Sequence, residues 1–252
     1  MAASSGNHGI AVAYSSRLLG KRCTVVVPES AVKEKVDAIE DYGAVVVKAG
    51  RLSDEREARA RSIASATGAA FVHPFNDPDV IAGQGTCGLE VAAQLEAFDT
   101  VLVPVGGGGL ISGISIALKA ARPGVRVIGV EPEGAPKLSS ALAAKEIVRV
   151  KDPKSAADGL IPSALGELTF RASSLYVDGA LTATEAEIYG ATAAMANTAR
   201  IIAEPSGAAP LAPLLSRPDR VPGEKVVVVV SGGNISRDML LKVLSQKPVQ
   251  RP

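Results

Sequence analysis

Short apolar runs rich in valine and isoleucine alternate along the chain with longer stretches of helical periodicity. Several of these runs have almost no polar position, which is typical of strands that are covered on both faces. Six strands are predicted, at residues 23–27, 44–48, 70–73, 100–105, 125–130 and 225–230. Because strands that alternate with helices favour parallel βαβ units, the predicted fold class is α/β.

Helices are predicted between the strands. Two of them, at residues 10–19 and 111–121, each follow a glycine-containing turn. Another begins within Thr182-Ala183-Thr184-Glu185, because a threonine followed three residues later by a glutamate is typical of a capping box. Only a few residues precede the first of these turns, where an α/β domain normally has a strand. We therefore expect the chain to begin within a domain.

Composition limits the classes of function. The chain has 252 residues, 47% of them hydrophobic, and a net charge of +1. With both signs mixed along the chain, there is no electrostatic reason to expect nucleic acid as a partner. No apolar run approaches the length of a membrane span, so no membrane partner is expected either. Cys23 and Cys87 have no metal or redox spacing, which favours a reduced, cytoplasmic setting.

The first candidate motif opens the helix predicted at residues 10–19. It reads Ser4-Ser5-Gly6-Asn7-His8-Gly9. Small residues let the backbone approach a ligand closely, and a helix N-terminus offers unpaired N–H groups to a carboxylate or phosphate. Asn7 and His8 add hydrogen-bonding side chains. An ordinary N-cap with a tight turn would contain the same residue types.

The second candidate motif is a run of four glycines between a predicted strand and a predicted helix, Val105-Gly106-Gly107-Gly108-Gly109-Leu110. Four glycines cost backbone entropy at this point. What they offer is a loop of N–H groups that can close around an anion, backed by a helix N-terminus. The run matches neither the Walker loop nor the dinucleotide fingerprint. A flexible linker is the alternative, although linkers rarely join a core strand directly to a helix.

The third candidate motif follows the last predicted strand and reads Ser231-Gly232-Gly233-Asn234. Ligands of open α/β sheets bind beyond the carboxyl ends of strands, where this motif and the tetraglycine run both lie. A simple strand-to-helix turn is the alternative. Together, the three motifs predict a phosphorylated ligand with a polar ring, and a sugar phosphate would satisfy them as well.

In this order and at these separations, the three motifs resemble those of fold-type II pyridoxal-phosphate (PLP) enzymes, above all serine racemase and the threonine/serine dehydratases. The resemblance continues through residues 72–75, 80–86, 129–132, 157–159 and 203–207, so it covers essentially the whole chain. It implies two parallel-sheet, three-layer domains of the tryptophan synthase β type. Residues 1–74 would form the small domain, incomplete at its start, and residues 75–252 the remainder of the large PLP-binding domain.

The resemblance also implies roles for individual residues. The tetraglycine run and the Leu110 amide would cradle the phosphate, Asn7 would bind the 3′-oxygen of the ring, and Ser231 would face the pyridine nitrogen. Glu204 would lie near the ring. The implied cofactor-binding residues are therefore Asn7, Gly106, Gly107, Gly108, Gly109, Leu110, Glu204 and Ser231. Those implied for the substrate carboxylate are Ser4, Ser5, Gly6, Asn7 and His8.

The reaction that the resemblance implies is β-elimination of L-threonine or L-serine to a 2-oxo acid and ammonia. Ser231 agrees with it, because a hydroxyl cannot hold the pyridine nitrogen protonated as a carboxylate would. An early β-elimination tolerates the weaker electron sink. Ser5 keeps amino-acid racemisation open, because racemases of this fold use a serine there as a proton donor or acceptor.

The sequence departs from the family in one catalytic feature. The Schiff-base lysine of the family lies upstream of the Ser-Gly-Asn-His loop, within Ser-Phe-Lys, and the 252 residues contain no such segment. We therefore expect an N-terminally truncated chain, from a mis-assigned start or a partial gene, with little turnover alone. A non-catalytic PLP-binding remnant is the third alternative. For the full-length enzyme, the resemblance implies a homodimer or homotetramer.

A second departure concerns metal binding. Racemase-like members of the family hold a divalent cation with a glutamate at the position of Glu131 and an acidic residue six positions later. Here the second position is Lys137, and a cation beside an ammonium group is unfavourable. We therefore expect no metal, and we expect Glu131 to be a structural or surface carboxylate.

Overall fold

The computed structural model describes residues 1–4, 6–31, 33–50 and 53–245. The chain forms two compact units, Met1–Asp77 and Pro78–Pro252. The division between them lies three residues beyond the boundary predicted from the sequence, and the assignment of the small and large domains stays a prediction. No helix in these described ranges is long and apolar enough to cross a membrane.

The first unit has a three-stranded parallel sheet in the order β1-β2-β3. Val25 and Ile39 pack on one face of it, and Val26 and Ala60 pack on the other. The elements of this unit are β1 (Ala2–Ala3), α1 (Asn7–Leu18), β2 (Thr24–Val27), α2 (Lys33–Glu40), β3 (Val45–Lys48) and α3 (Ser53–Thr67). Helices therefore cover both faces of the sheet, as the alternating pattern predicts.

The second unit has a four-stranded parallel sheet in the order β6-β5-β4-β7. Its strands are β4 (Thr100–Pro104), β5 (Arg126–Pro132), β6 (Gly179–Ala183) and β7 (Val226–Val228). Its helices are α4 (Pro78–Gln94), α5 (Gly109–Ala121), α6 (Lys137–Ala144), α7 (Glu167–Tyr176), α8 (Glu185–Ala194), α9 (Pro205–Ala208), α10 (Leu211–Ser216) and α11 (Arg237–Leu244).

Successive residues of β4 point to opposite faces of this sheet. Val101 and Val103 join the core that contains Ile111 of α5. Leu102 joins the core that contains Ile188 of α8. The unit is thus a three-layer α/β/α structure, and β4 leads from its centre directly into the tetraglycine loop.

Helices α4 and α5 cross at glycines. A Cβ added at Gly113 of α5 would collide with the carbonyl oxygen of Ile81 and lie 2.5 Å from the amide nitrogen of Gly85. A Cβ at Gly88 would lie 2.9 Å from the carbonyl oxygen of Ile114. The absence of side chains at this crossing is what lets the two backbones come so close together.

Five of the six predicted strands are confirmed with small shifts of their ends, and one is wrong. Residues 70–73 form no regular strand, although this segment is hydrogen-bonded to the backbone of Met1. Its amino group donates to the Ala70 carbonyl at 3.0 Å, and its carbonyl accepts from the Val72 amide at 2.9 Å. The pattern also missed β6, which mixes small and polar residues with one leucine.

Two further details are corrected. The edge strands β3 and β7 are only partly buried, although their apolar runs predict cover on both faces. The capping box lies two residues later than predicted. Thr184 is the N-cap of α8, its hydroxyl accepts from the Glu187 amide at 3.2 Å, and Glu187 accepts from the Thr184 amide at 2.8 Å.

Candidate functional site

The tetraglycine loop lies at the carboxyl end of β4, where a parallel sheet offers a ligand site. Gly108 has a φ of +93°, a conformation that L side chains rarely adopt, and Gly109 is the first residue of α5. The carbonyl of Gly107 accepts a 2.8 Å hydrogen bond from the buried hydroxyl of Thr169. Neighbouring structure therefore fixes the path of the loop.

Space around the loop also requires glycine. A Cβ at Gly106 would lie 2.5 Å from the carbonyl oxygen of Gly159, and a Cβ at Gly108 would lie 2.9 Å from Cβ of Thr169. Gly108, the N-cap of α5, has no side chain with which to cap the helix. The amides of its first turn, Leu110 among them, have no partner within the helix, and they carry the positive end of its dipole. The loop thus has the chemistry of an anion cradle.

Three further segments lie beside the tetraglycine loop, each in contact with the next. The amide of Gly159 donates to the hydroxyl of Ser206 at 2.9 Å, and the amide of Glu204 donates to the Gly232 carbonyl at 3.0 Å. A Cβ at Gly207 would lie 2.5 Å from that same carbonyl oxygen. The turn at residues 157–160, the start of α9 and the segment after β7 therefore form one contacting set with the tetraglycine loop.

The structure thus brings three predicted parts of the cofactor site into one region of the second unit. The tetraglycine loop ends β4, Glu204 is the nearly buried N-cap of α9, and Ser231 is an exposed residue beyond β7. Sequence reasoning gave no role to Thr169 or Ser206, which hold the loop and its neighbouring turn. Of residues 157–159 and 203–207, which resemble segments of the family, only Glu204 was given a role.

In the first unit, the Ser-Gly-Asn-His motif connects β1 to α1. The Ser4 amide donates to the Val26 carbonyl at 3.1 Å, and the Ser4 hydroxyl accepts from the Gly6 amide at 3.2 Å. Gly6 is the N-cap, and the exposed Asn7 is the first helical residue. Ser5 lies outside the described residues, so its role in proton transfer stays a prediction.

His8 and His73 of this unit have defined tautomers. His8 directs Nε2 at the Val72 carbonyl, 3.0 Å away, so this nitrogen carries the proton. Nδ1 of His73 accepts from the amides of Phe75 and Asn76, which leaves the proton on Nε2, 3.5 Å from Glu57. Burial lowers the pKa of both histidines, which makes them neutral at pH 7. His8 therefore acts here as a hydrogen-bond donor to backbone.

Glu131 and Lys137 are both completely buried in the second unit. The carboxylate accepts from the Leu138 amide at 2.8 Å, and from the amide and hydroxyl of Ser139 at 2.8 and 2.7 Å. Lys137 Nζ lies 3.6 Å from Glu131 Oε2. Burial lowers the pKa of Lys137 to about 8, against the opposing effect of the Glu131 carboxylate. Of the two expectations for Glu131, the structural one is confirmed and the surface one is wrong.

A glycine loop that ends a central parallel strand and opens a helix defines a class of α/β proteins that bind phosphorylated ligands. Within that class, the model of the pyridoxal-phosphate dependent enzyme family matches residues 1–232. The chain belongs to this family. The predicted fold class and the predicted cofactor class are thereby confirmed.

The proteins that are similar to this chain are named for different reactions. An L-threonine ammonia-lyase from Thermotoga maritima is 42% identical over 246 residues, 98% of this chain and 61% of that protein. A serine racemase from Dictyostelium discoideum is 39% identical over 246 residues, 96% of this chain and 76% of that protein. The structure of the processed form of threonine deaminase isoform 2 from Solanum lycopersicum matches with a TM-score of 0.90 and 33% identity, covering 96% of this chain and 71% of that one. The chain thus spans less than two thirds of the Thermotoga relative.

Proposed function

We propose that the whole protein of which these residues are part catalyses PLP-dependent β-elimination of L-threonine or L-serine, releasing a 2-oxo acid and ammonia. The observation that carries the proposal is the tetraglycine loop at the end of β4. Two of its glycines, Gly106 and Gly108, have no room for a side chain, and it opens a helix whose N-cap residue is a glycine. Such a loop lowers the stability of the fold, because its glycines lose much backbone entropy on folding. Binding of an anion by its amides explains why the chain has such a loop here.

The residues of the second unit fit the cofactor. Gly106, Gly107, Gly108, Gly109 and the Leu110 amide are proposed to hold the phosphate. Ser231 is proposed to face the pyridine nitrogen, and Glu204 to lie near the ring. When bound, PLP supplies an electron sink for the α-carbon of an amino acid. A hydroxyl at Ser231 would not hold the ring nitrogen protonated as a carboxylate would, and such an environment would suit elimination of a β-hydroxyl.

In the first unit, residues 4–8 are proposed to hold the substrate carboxylate. The amides at the start of α1 provide donors and the positive end of the helix dipole. Asn7 is proposed to contact the 3′-oxygen of the cofactor, as in the family that the motif resembles. His8 donates to the Val72 carbonyl and so supports the shape of this loop.

The names of the relatives support the lyase reaction and one alternative. The L-threonine ammonia-lyase from Thermotoga maritima favours elimination. Ser5 and the serine racemase from Dictyostelium discoideum favour amino-acid racemisation as the second candidate. The choice between serine and threonine depends on one methyl group, which pockets discriminate weakly. The oligomeric state, a homodimer or homotetramer, is likewise a proposal.

The test uses the protein produced with the coding sequence upstream of Met1, where the Ser-Phe-Lys segment of the family is expected. It is incubated with L-serine and with L-threonine, and pyruvate, 2-oxobutanoate, ammonia and D-serine are measured. Faster formation of 2-oxo acid than of D-serine supports the lyase. Faster formation of D-serine would replace it by the racemase. Absence of all products would favour the third alternative, a non-catalytic remnant that binds PLP.

A further inference from the structure

Lys137 has two hydrogen-bonded carbonyl partners and a nearby carboxylate inside the second unit. Its ammonium group donates to the carbonyls of Ala135 and Leu160, both at 2.9 Å, and lies 3.6 Å from the Glu131 carboxylate. An ammonium group has three N–H bonds, and three oxygens surround this one. The side chain is fully excluded from solvent. Lys137 is therefore an internal cation and not a surface charge.

Stability alone does not account for this buried pair. Replacing a buried ion pair by apolar side chains of similar volume is often neutral or stabilising, because both charges lose their hydration. What the pair does achieve is a connection between distant segments. Glu131 belongs to β5, Ala135 precedes α6, and Leu160 ends the short helical turn at Asp158–Leu160.

That turn is in contact with the tetraglycine loop. Gly159 adjoins Leu160, and its carbonyl oxygen occupies the space where a Gly106 side chain would be. On its other side, Gly159 donates to Ser206 of α9 at 2.9 Å. A displacement of the Leu160 carbonyl would therefore move the surface against which Gly106 packs.

We propose that Lys137 is a positioning residue whose internal ammonium group holds the turn at residues 158–160 against Gly106 and so fixes the shape of the tetraglycine loop. The link to phosphate affinity rests on the proposed function, whereas the effect on the loop itself does not. The role requires the positive charge, because two carbonyl oxygens and a carboxylate converge on one point.

The test is hydrogen exchange of the ligand-free chain, followed by mass spectrometry. In Lys137→Met, we expect the amides of residues 105–110 and 157–160 to exchange at least about tenfold faster than in the unmodified chain, because their anchor is lost. The matched control is Lys119→Met. Lys119 also bridges a carbonyl and a carboxylate, those of Val125 and Asp178, but at the opposite ends of the strands. In this control, exchange at 105–110 and 157–160 should not change.

Unchanged exchange at both segments in Lys137→Met would overturn the inference. If Lys137→Met does not fold, Lys137→Ala decides, with n-propylammonium added to replace the missing atoms and n-propanol as its neutral counterpart. Slower exchange with the ammonium ion alone supports the inference. An equal effect of both additives, or no effect, overturns it.

Phosphate affinity is measured separately with pyridoxamine 5′-phosphate, which has no aldehyde to react with lysines. We expect at least about tenfold weaker binding in Lys137→Met than in Lys119→Met. Failure of the unmodified chain to bind this compound would count against the proposed function. Equal binding by both variants would overturn the link between Lys137 and phosphate affinity.

Discussion

At the scale of single residues, lack of space requires glycine at position 106. At Gly108, lack of space and the backbone conformation both require it. Gly106 faces the carbonyl oxygen of Gly159, whereas Gly108 combines a φ of +93° with contact to Thr169. The neighbour of Gly106 is backbone, which cannot rotate away as a side chain can. A methyl group at Gly106 must therefore displace the loop, the turn or both.

We expect Gly106→Ala to weaken binding of pyridoxamine 5′-phosphate at least about tenfold, which corresponds to about 1.4 kcal/mol. Gly124→Ala is the control, because a Cβ there meets nothing within 4 Å. Titration calorimetry on both variants measures the effect. Binding by Gly106→Ala as tight as that by Gly124→Ala would show that the loop does not contact the phosphate.

The histidines of the first unit predict a dependence of stability on pH. Burial lowers the pKa of His8 and of His73 below the ordinary value of 6.5. The unfolded chain therefore takes up protons first as the pH falls through 6.5, and the free energy of unfolding decreases from there down to the folded-state pKa values. Above pH 6.5 the stability that these rings contribute is fully present.

Urea unfolding at pH 7.5 and pH 5.5 measures this effect. The control is the double variant His8→Gln, His73→Asn, which can keep a donor towards Val72 and an acceptor towards Phe75 without a titratable ring. We expect the unmodified chain to lose more stability between these pH values than the double variant. Equal losses of stability in the two proteins would contradict the conclusion that His8 and His73 cause the pH dependence.

At the scale of elements, the crossing of α4 and α5 depends on glycine. We expect Gly113→Ala to destabilise the second unit by about 1–3 kcal/mol, because its methyl group would overlap the backbone of α4. Gly83→Ala in α4 meets nothing within 4 Å and should stabilise by up to about 1 kcal/mol, since alanine favours helix. Thermal unfolding measures both. A Gly113→Ala variant as stable as Gly83→Ala would contradict the close crossing.

The start of α8 shows why local pattern fails at element boundaries. Both Thr182…Glu185 and Thr184…Glu187 satisfy the capping-box pattern. Pairing with β5 decides between them, because Thr182 lies opposite Glu131 and Ala183 opposite Pro132 in the sheet. Thr182 is thereby held extended, and the helix begins two residues later. A strand partner distant in sequence is not visible in a window of four residues.

At the scale of the whole molecule, the sequence predicted the parallel α/β class and the places of the three loops, because both depend on local periodicity and on glycine. It did not predict the contacts within the second unit that hold the tetraglycine loop in place. Gly106 meets Gly159, and Lys137 binds the Leu160 carbonyl. The burial of Lys137 was also not predicted, since lysine is rarely buried and only the surrounding oxygens make it possible here.

The most direct test of the central claim, that the tetraglycine loop binds the phosphate of a pyridoxal-type cofactor, is calorimetric titration of the 252-residue chain with pyridoxamine 5′-phosphate and with pyridoxamine. We predict saturable 1:1 binding of the phosphorylated compound, competition by inorganic phosphate, and at least about tenfold weaker binding of pyridoxamine, because charge-assisted hydrogen bonds to the loop amides are lost. Equal affinity for the two compounds, or binding that inorganic phosphate does not weaken, would contradict the account.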